Sequence, residues 1–369
     1  MRMKSFFMLL GPALCASVLN AEQLKKPDHI FTDVRIFSDA QTALEDADYG
    51  LALKLAEQAK NARKQKVAWE LEALNNSFKP AEIKYVGDSI ADSIPILQER
   101  QDYDALEIIE AYRKKPGLDF FNDSKKRLLE YVGSRSPYPE ADFLAGYIYQ
   151  LEGEYDVAER CYLKALESAD VLDIPDEKYD ILYALAEISL IRQDFSQYEK
   201  YLLNIVAQDN AFKDKGLIAA MNRTIRSRSA DCLEKFFLLY RADNFRLLNA
   251  YFKLSDWYRK ENAAERALDA SALGALTGFT KIFTIVRTRN PEFQYEGFES
   301  LLDAAAAYPD VVEWGVDNNL WKGFYLFAEQ AEKTGSTVFA EKLYTAILNH
   351  SPETYWREAA EARLEAFKS

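Results

Sequence analysis

The stretch Phe143-Leu144-Ala145-Gly146-Tyr147-Ile148-Tyr149, followed by Gly153-Glu154-Tyr155-Asp156-Val157-Ala158 and then by Tyr162, Ala165 and Leu166, decides the fold. Tyr155, Ala158, Tyr162 and Ala165 recur at spacings of three and four, which marks one face of an α-helix. Gly153 interrupts the pattern, so 139–172 reads as two helices joined by a tight turn. The rest of the chain agrees with an all-α reading. Hydrophobic residues make up 49% of the 369, enough for a large core and too many for disorder. With only 14 Gly and 11 Pro, the chain lacks the turn residues that many short strands would require.

The same pattern returns. Residues 248–281 carry Tyr251, Leu254, Ser255, Tyr258 and Ala267 at corresponding places, and residues 321–354 carry Phe324, Phe327, Ala328, Gly335, Ala340, Tyr344 and Pro352. Residues 179–212 carry Leu182, Leu185, Ala186 and Phe195, but Tyr198 stands where the other copies have a small residue. Near the N-terminus, Tyr49, Ala52, Ala56 and Ala59 form a good second helix, and Gln101-Asp102-Tyr103-Asp104 reads as the turn of a degenerate copy. The intervening segments 213–247 and 282–320 each have room for one helix pair, the latter broken by Pro291 and Pro309. The run Phe236 to Arg241 reads as a buried second helix, and a helix over 353–367 would close the array with a polar outer face.

Taken together, these units resemble the tetratricopeptide repeat. That family places small residues at positions 8, 20 and 27 of a 34-residue unit, matched here by Gly146, Ala158 and Ala165. Large residues at positions 11, 17 and 24 are matched by Tyr149, Tyr155 and Tyr162, while Asp142 and Ala145 depart from the pattern at positions 4 and 7. The resemblance implies antiparallel helix pairs stacked into a right-handed superhelix, an α-solenoid with a concave groove, because no single pair can bury its apolar face alone. It covers most of 33–354. The expected organisation is a signal peptide over 1–21, an irregular helical region over 22–135, and a repeat region with a terminal capping helix over 136–369. Pro137 and Pro139, flanking Tyr138, mark the expected seam.

The N-terminus sets the expected compartment. Arg2 and Lys4 precede an uncharged apolar run from Phe6 to Leu19, and Ser17 and Ala21 offer small residues for a signal peptidase. Cys15 invites lipidation, but a lipobox has a small residue where Leu14 stands, so cleavage near Ala21 is the reading taken. No later segment approaches the ~20 apolar residues of a spanning helix. The expectation is an exported, periplasmic or envelope-associated protein. Cys161 and Cys232 are too few and too far apart for a disulfide framework and read as free helix cysteines. The net charge of −13 argues against phosphate backbones and so against nucleic acid.

The search for chemistry is mostly negative. His29 and His350 have no two-histidine metal spacing, and no phosphate loop, nucleophile elbow or Cys-x-x-Cys pair occurs. His350 ends a helix, where a cation favours the dipole. Carboxylates such as Glu152 and Glu154 fall in an expected turn; a catalytic pair assembled from distant helices is the third-ranked reading. No cofactor or metal is expected. In the family, positions 5 and 9 often face the groove. Position 5 reads Phe143, Tyr183, Phe252 and Tyr325; position 9 reads Tyr147, Glu187, Asp256 and Glu329. Such an aromatic ladder flanked by carboxylates would hold a protein partner, including one with basic segments. Alternatively the aromatics simply pack between repeats. Trp314 and Trp321, beside the Gly/Asp/Asn stretch 315–319, form a pocket or seal an irregular unit. The leading expectation is a non-catalytic envelope scaffold that binds a protein partner, and the second is a small-molecule binder serving a transport complex.

Overall fold

In the computed structural model, residues 27–75, 87–89, 91, 94–99, 101, 103–114 and 129–368 are described. The signal-like segment 1–21, with Cys15, and Asp102 of the Gln101–Asp104 turn lie outside the described residues. Within them every regular element is helical, and the helices pack in neighbouring pairs. No described helix is long and apolar enough to cross a membrane. Two compact units, 1–175 and 176–369, divide the chain.

The first unit contains α1 (Thr32–Glu45), α2 (Tyr49–Asn75), α3 (Ile94–Glu99), α4 (Tyr103–Lys114), α5 (Pro139–Leu151) and α6 (Tyr155–Glu167). Small side chains let its helices approach: Ala40 and Ala43 of α1 and Ala52, Ala56 and Ala59 of α2 share one cluster with Ala141, Leu144 and Ile148 of α5. Gly146 is required for the α5–α6 contact, because a Cβ there would stand 2.6 Å from the Tyr162 ring and 3.2 Å from the Ala158 carbonyl oxygen. The departure at Asp142 has a physical reason. Its carboxylate is buried and held by Lys60 Nζ at 3.0 Å and Lys164 Nζ at 2.9 Å, so an ion pair fills the place of a large apolar side chain. Tyr138, in the proline-flanked segment, is buried against Phe37 with the Arg63 guanidinium 3.6 Å from its ring centroid.

The second unit contains α7 (Glu177–Ile191), α8 (Phe195–Val206), α9 (Asn210–Lys213), α10 (Lys215–Ile225), α11 (Cys232–Phe237), α12 (Leu248–Lys260), α13 (Ala264–Arg289), α14 (Phe298–Ala306), α15 (Pro309–Asp317), α16 (Leu320–Lys333), α17 (Thr337–His350) and α18 (Thr354–Lys368). Its core is aromatic. Phe237 stacks on Phe298 with ring centroids 4.0 Å apart and on Phe279 at 4.8 Å, while Phe236 contacts Phe327 and Phe339 at 5.1 and 5.4 Å. Full burial of each such side chain contributes about 1.5–3 kcal/mol. Ser255, at the small position of α12, donates to the Ala267 carbonyl at 3.1 Å, so that close approach is a hydrogen bond as well as a packing contact.

Five helix pairs share one connection. Between α1 and α2, α5 and α6, α7 and α8, α12 and α13, and α16 and α17, three residues intervene, and the middle one is left-handed: Ala47, Gly153, Gln193, Asn262 and Gly335. In each, the next backbone N–H donates at 2.8 Å to the carbonyl five residues back: Asp48 to Ala43, Glu154 to Tyr149, Asp194 to Ser189, Ala263 to Tyr258 and Ser336 to Ala331. This bond satisfies a carbonyl that the helix end would otherwise leave open.

Elsewhere the structure departs from the sequence reading. The helix expected over Phe236–Arg241 stops at Phe237, leaving Leu238 exposed; Arg241 Nη1 then donates to the Phe237 and Tyr240 carbonyls at 2.6 and 3.0 Å. The α13 helix runs past the expected end at 281 to Arg289, because the pattern meets no helix breaker before Pro291. The cysteines follow the sequence reading: Cys161 and Cys232 are both free thiols, half-buried and buried respectively.

Candidate functional site: a polar cleft in the second unit

On one face of the second unit lies a cleft of about 640 Å³, walled by α7, the turn before α12, α13 and α15. From α7 come Asp180 and Tyr183, which helical spacing puts on one face, and Asp176 precedes its first turn. The tyrosine hydroxyl donates to the Arg246 carbonyl at 2.6 Å and accepts the Ala250 N–H at 2.9 Å. It thereby satisfies a donor in the first turn of α12, one of those an α-helix cannot pair internally. Burial, then the nearby Asp180 carboxylate, pushes the Tyr183 phenol well above its usual pKa, so it stays protonated. Asn244 ties the same wall together: its Oδ1 accepts from Arg246 N at 2.9 Å, and its Nδ2 donates to the Tyr179 hydroxyl at 2.9 Å.

Charge in the cleft is partly cancelled. Arg246 Nη1 bonds both oxygens of Asp180, at 3.1 and 3.2 Å, and its Nε stands 3.8 Å from Asp176. Lys281 of α13 makes a cation–π contact with Phe245, its Nζ 4.9 Å from the ring centroid. Trp314 of α15 and Asn318 complete the wall, with Asn318 Nδ2 donating to the Trp314 carbonyl at 2.9 Å.

A second, smaller cleft of about 180 Å³ adjoins the first, sharing Asn249. Phe252, Lys253 and Asp256 of α12 line it, with Asn319, Lys322, Gly323 and Leu326 opposite. Phe252 is wedged between α13 and α16. A Cβ on Gly274 would stand 2.6 Å from its ring, and one on Gly323 would overlap it. Burial raises the Asp256 carboxyl's affinity for its proton, but the hydrogen bonds and charges of Arg259 and Lys260, at 2.6 and 2.9 Å, outweigh it and hold the pKa below the usual range.

The structure gathers four of the residues singled out from sequence, Tyr183, Phe252, Asp256 and Trp314, into these adjoining clefts. Glu187 is exposed on α7 and lines neither. Tyr325 packs on Tyr344 and Trp356 at 5.4 and 5.3 Å, and Glu329 pairs with Lys333 at 3.2 Å. Phe143 and Tyr147 belong to the first unit, where Phe143 packs 5.4 Å from Tyr162 and Tyr147 is exposed. Trp321 is buried against Phe324 at 5.9 Å and lines a separate apolar cavity of about 130 Å³ with Ile282 and His350. His350 itself stands between Glu299 and Asp303, at 3.3 and 3.4 Å.

Sequence reasoning missed Asp180, Asn249 and Lys322, each one helical turn before an aromatic of the ladder and on the same face. That three-residue offset was the available signal. Lys281 and Arg246 gave none, because one lies on the second helix of a pair and the other outside any pair. Among the described residues no group of three or more His, Cys, Asp or Glu is arranged to hold a metal.

No family model matches the chain. It is similar to an uncharacterized protein of Treponema pallidum (strain Nichols), 29% identical over 326 residues, which cover 87% of each chain.

Proposed function

We propose that the protein is a non-catalytic scaffold of the tetratricopeptide-repeat kind, exported to the cell envelope, whose second unit holds a segment of a protein partner. The observation that carries this reading is the pair of adjoining clefts built on the first helices of helix pairs, α7, α12 and α16. The shared turn geometry and the small residues at Gly146, Ser255 and Ala328 support the repeat reading and a superhelical stack. Export is supported by the sequence of residues 1–21. The engagement of Asp176 and Asp180 by Arg246 supports a binding role over acid–base chemistry, since both carboxylates already have a cation.

A photo-crosslinking residue at Asn249, the position common to both clefts, tests this in intact cells. The expected result is a discrete adduct with another protein at Asn249 and none with the same probe at Lys342 of α17, which lines neither cleft. Adducts at Lys342 alone would rule out the clefts as the docking site. The size of the larger cleft, within the ~300–1,000 Å³ of ligand pockets, favours a second reading, a small-molecule binder serving a transport complex. That reading expects a ligand-dependent rise in melting temperature across a metabolite panel, with no protein adduct at Asn249.

A further inference from the structure

We propose that the adjoining clefts of the second unit select an acidic peptide segment, an inference that rests on the segment-binding reading above. It reverses the sign of partner that the ladder of Glu187, Asp256 and Glu329 suggests in sequence. Asp256 is neutralised by Arg259 and Lys260, Glu329 by Lys333, and Asp180 and Asp176 by Arg246. Of the four cationic side chains that line the clefts, Arg246 is neutralised and three are not. Lys281, Lys253 and Lys322 have no carboxylate partner among the described residues, and Lys281 has only the face of Phe245. Against these three stand Asp243, a lining carboxylate without a cation among the described residues, and the second of the two carboxylates that share Arg246.

The positive surplus sits in the smaller cleft, where Lys253 and Lys322 accompany an Asp256 already paired with Arg259 and Lys260, on a chain whose net charge is −13. At physiological salt the Debye length is about 8 Å, so the distant acidic surface is screened while the lysines act at contact range. The Asn249 side chain and the Trp314 indole N–H, both without a hydrogen-bond partner among the described residues, add donors that suit carboxylate and backbone oxygens. From Arg246 to Asp256 the lining follows about 15 Å of chain at helical rise. That is the length of about four or five extended residues. Lys253 on this track, with Lys281 of α13 and Lys322 of α16 lining the same clefts, offers point charges to carboxylates spaced along such a segment. The overall negative charge and the lack of any longer basic stripe in the clefts disfavour a nucleic-acid backbone.

The test is to pan a random dodecapeptide display library against the full-length protein, and to measure the recovered peptides by fluorescence anisotropy. The expected pool is enriched in Asp and Glu, and its peptides bind at least tenfold more weakly to Lys253→Glu/Lys281→Glu/Lys322→Glu. Because Lys281 is half-buried, the exposed pair Lys253→Gln/Lys322→Gln is measured beside it and should lose at least threefold in an unchanged fold. A recovered pool that is neutral or basic would overturn the acidic assignment and leave the segment-binding reading standing. A pool indifferent to both lysine variants would do the same. Failure to recover any pool, with direct binding to phosphatidylglycerol vesicles instead, would overturn both.

Discussion

The two units solve the same packing problem with different materials. In the first, six formally charged residues are buried: Asp33, Arg63, Lys66, Glu70, Glu140 and Asp142; in the second, Asp209 stands alone among the described residues. Conversely, nine of the ten largest fully buried side chains belong to the second unit, with Tyr162 the exception. Asp33 shows how the first unit works. Its carboxylate is fully enclosed, with Arg63 Nε at 2.7 Å and Lys66 Nζ at 3.4 Å. Burial pushes its pKa up, but those two cations pull it below the ordinary value. Arg63 reaches on to Asp173 at 3.3 Å, and the Asp173 N–H donates to Glu140 Oε1. Such pairs add little net stability over apolar packing, yet they fail badly when half removed. The second unit instead gains by area, which is tolerant of pH.

That contrast can be broken in four places. The largest effect belongs to Phe237→Ala, which empties the centre of the aromatic cluster and should cost about 3–5 kcal/mol, read by urea unfolding at several pH values with no change in the loss. Next comes Arg63→Met, which leaves Asp33 with Lys66 alone and should cost about 3 kcal/mol. The double variant Asp33→Leu/Arg63→Met should recover most of it. A double variant no better than the single would mean the network adds stability outright.

Glu140 provides the third. Burial, then the neighbouring Asp173 carboxylate, raises its pKa from 4.5 to about 7, and its Oε2 has no hydrogen-bond partner. A carboxyl with a raised folded-state pKa stabilises most below the unfolded value and loses that contribution as pH rises through the folded one. The first unit should therefore weaken between about pH 4.5 and 7, and Glu140→Gln should flatten that slope, gaining roughly 2 kcal/mol above pH 7. Unfolding curves at pH 5 and pH 8 read the difference.

The smallest effect tests what the units share. Gly153 and Gly335 have φ of +80° and +85°, and nothing lies within 4 Å of the place a methyl would take, so Ala at either meets only backbone strain. Each change should cost about 1 kcal/mol, read by urea unfolding of the two single variants. Unequal costs would show that the two turns, alike in geometry, are not alike in energy.

Much of this was legible in the sequence wherever a side chain's job is local. The small and large positions of 139–172, 248–281 and 321–354 place the helix pairs, and Gly153 and Gly335 announce their turns. Gln193 and Asn262 carry the same left-handed turn without glycine and gave no warning. The clefts were half legible. Tyr183 and Phe252 stood out as aromatics, but the neutralisation of Asp256 and Asp180 depends on side-chain geometry and, for Asp180, on Arg246, 66 residues away. Lys281 was hidden because it lies on α13, the second helix of its pair, while the groove positions were sought on the first helices.

Whether recognition belongs to the second unit is decided by amide hydrogen exchange on the full chain, with and without a captured partner segment. Slowed exchange is expected at 176–183, 243–256 and 314–326, with the helices of the first unit unchanged. Protection confined to 32–75 and 139–167 would contradict that assignment and move recognition to the charge-locked unit.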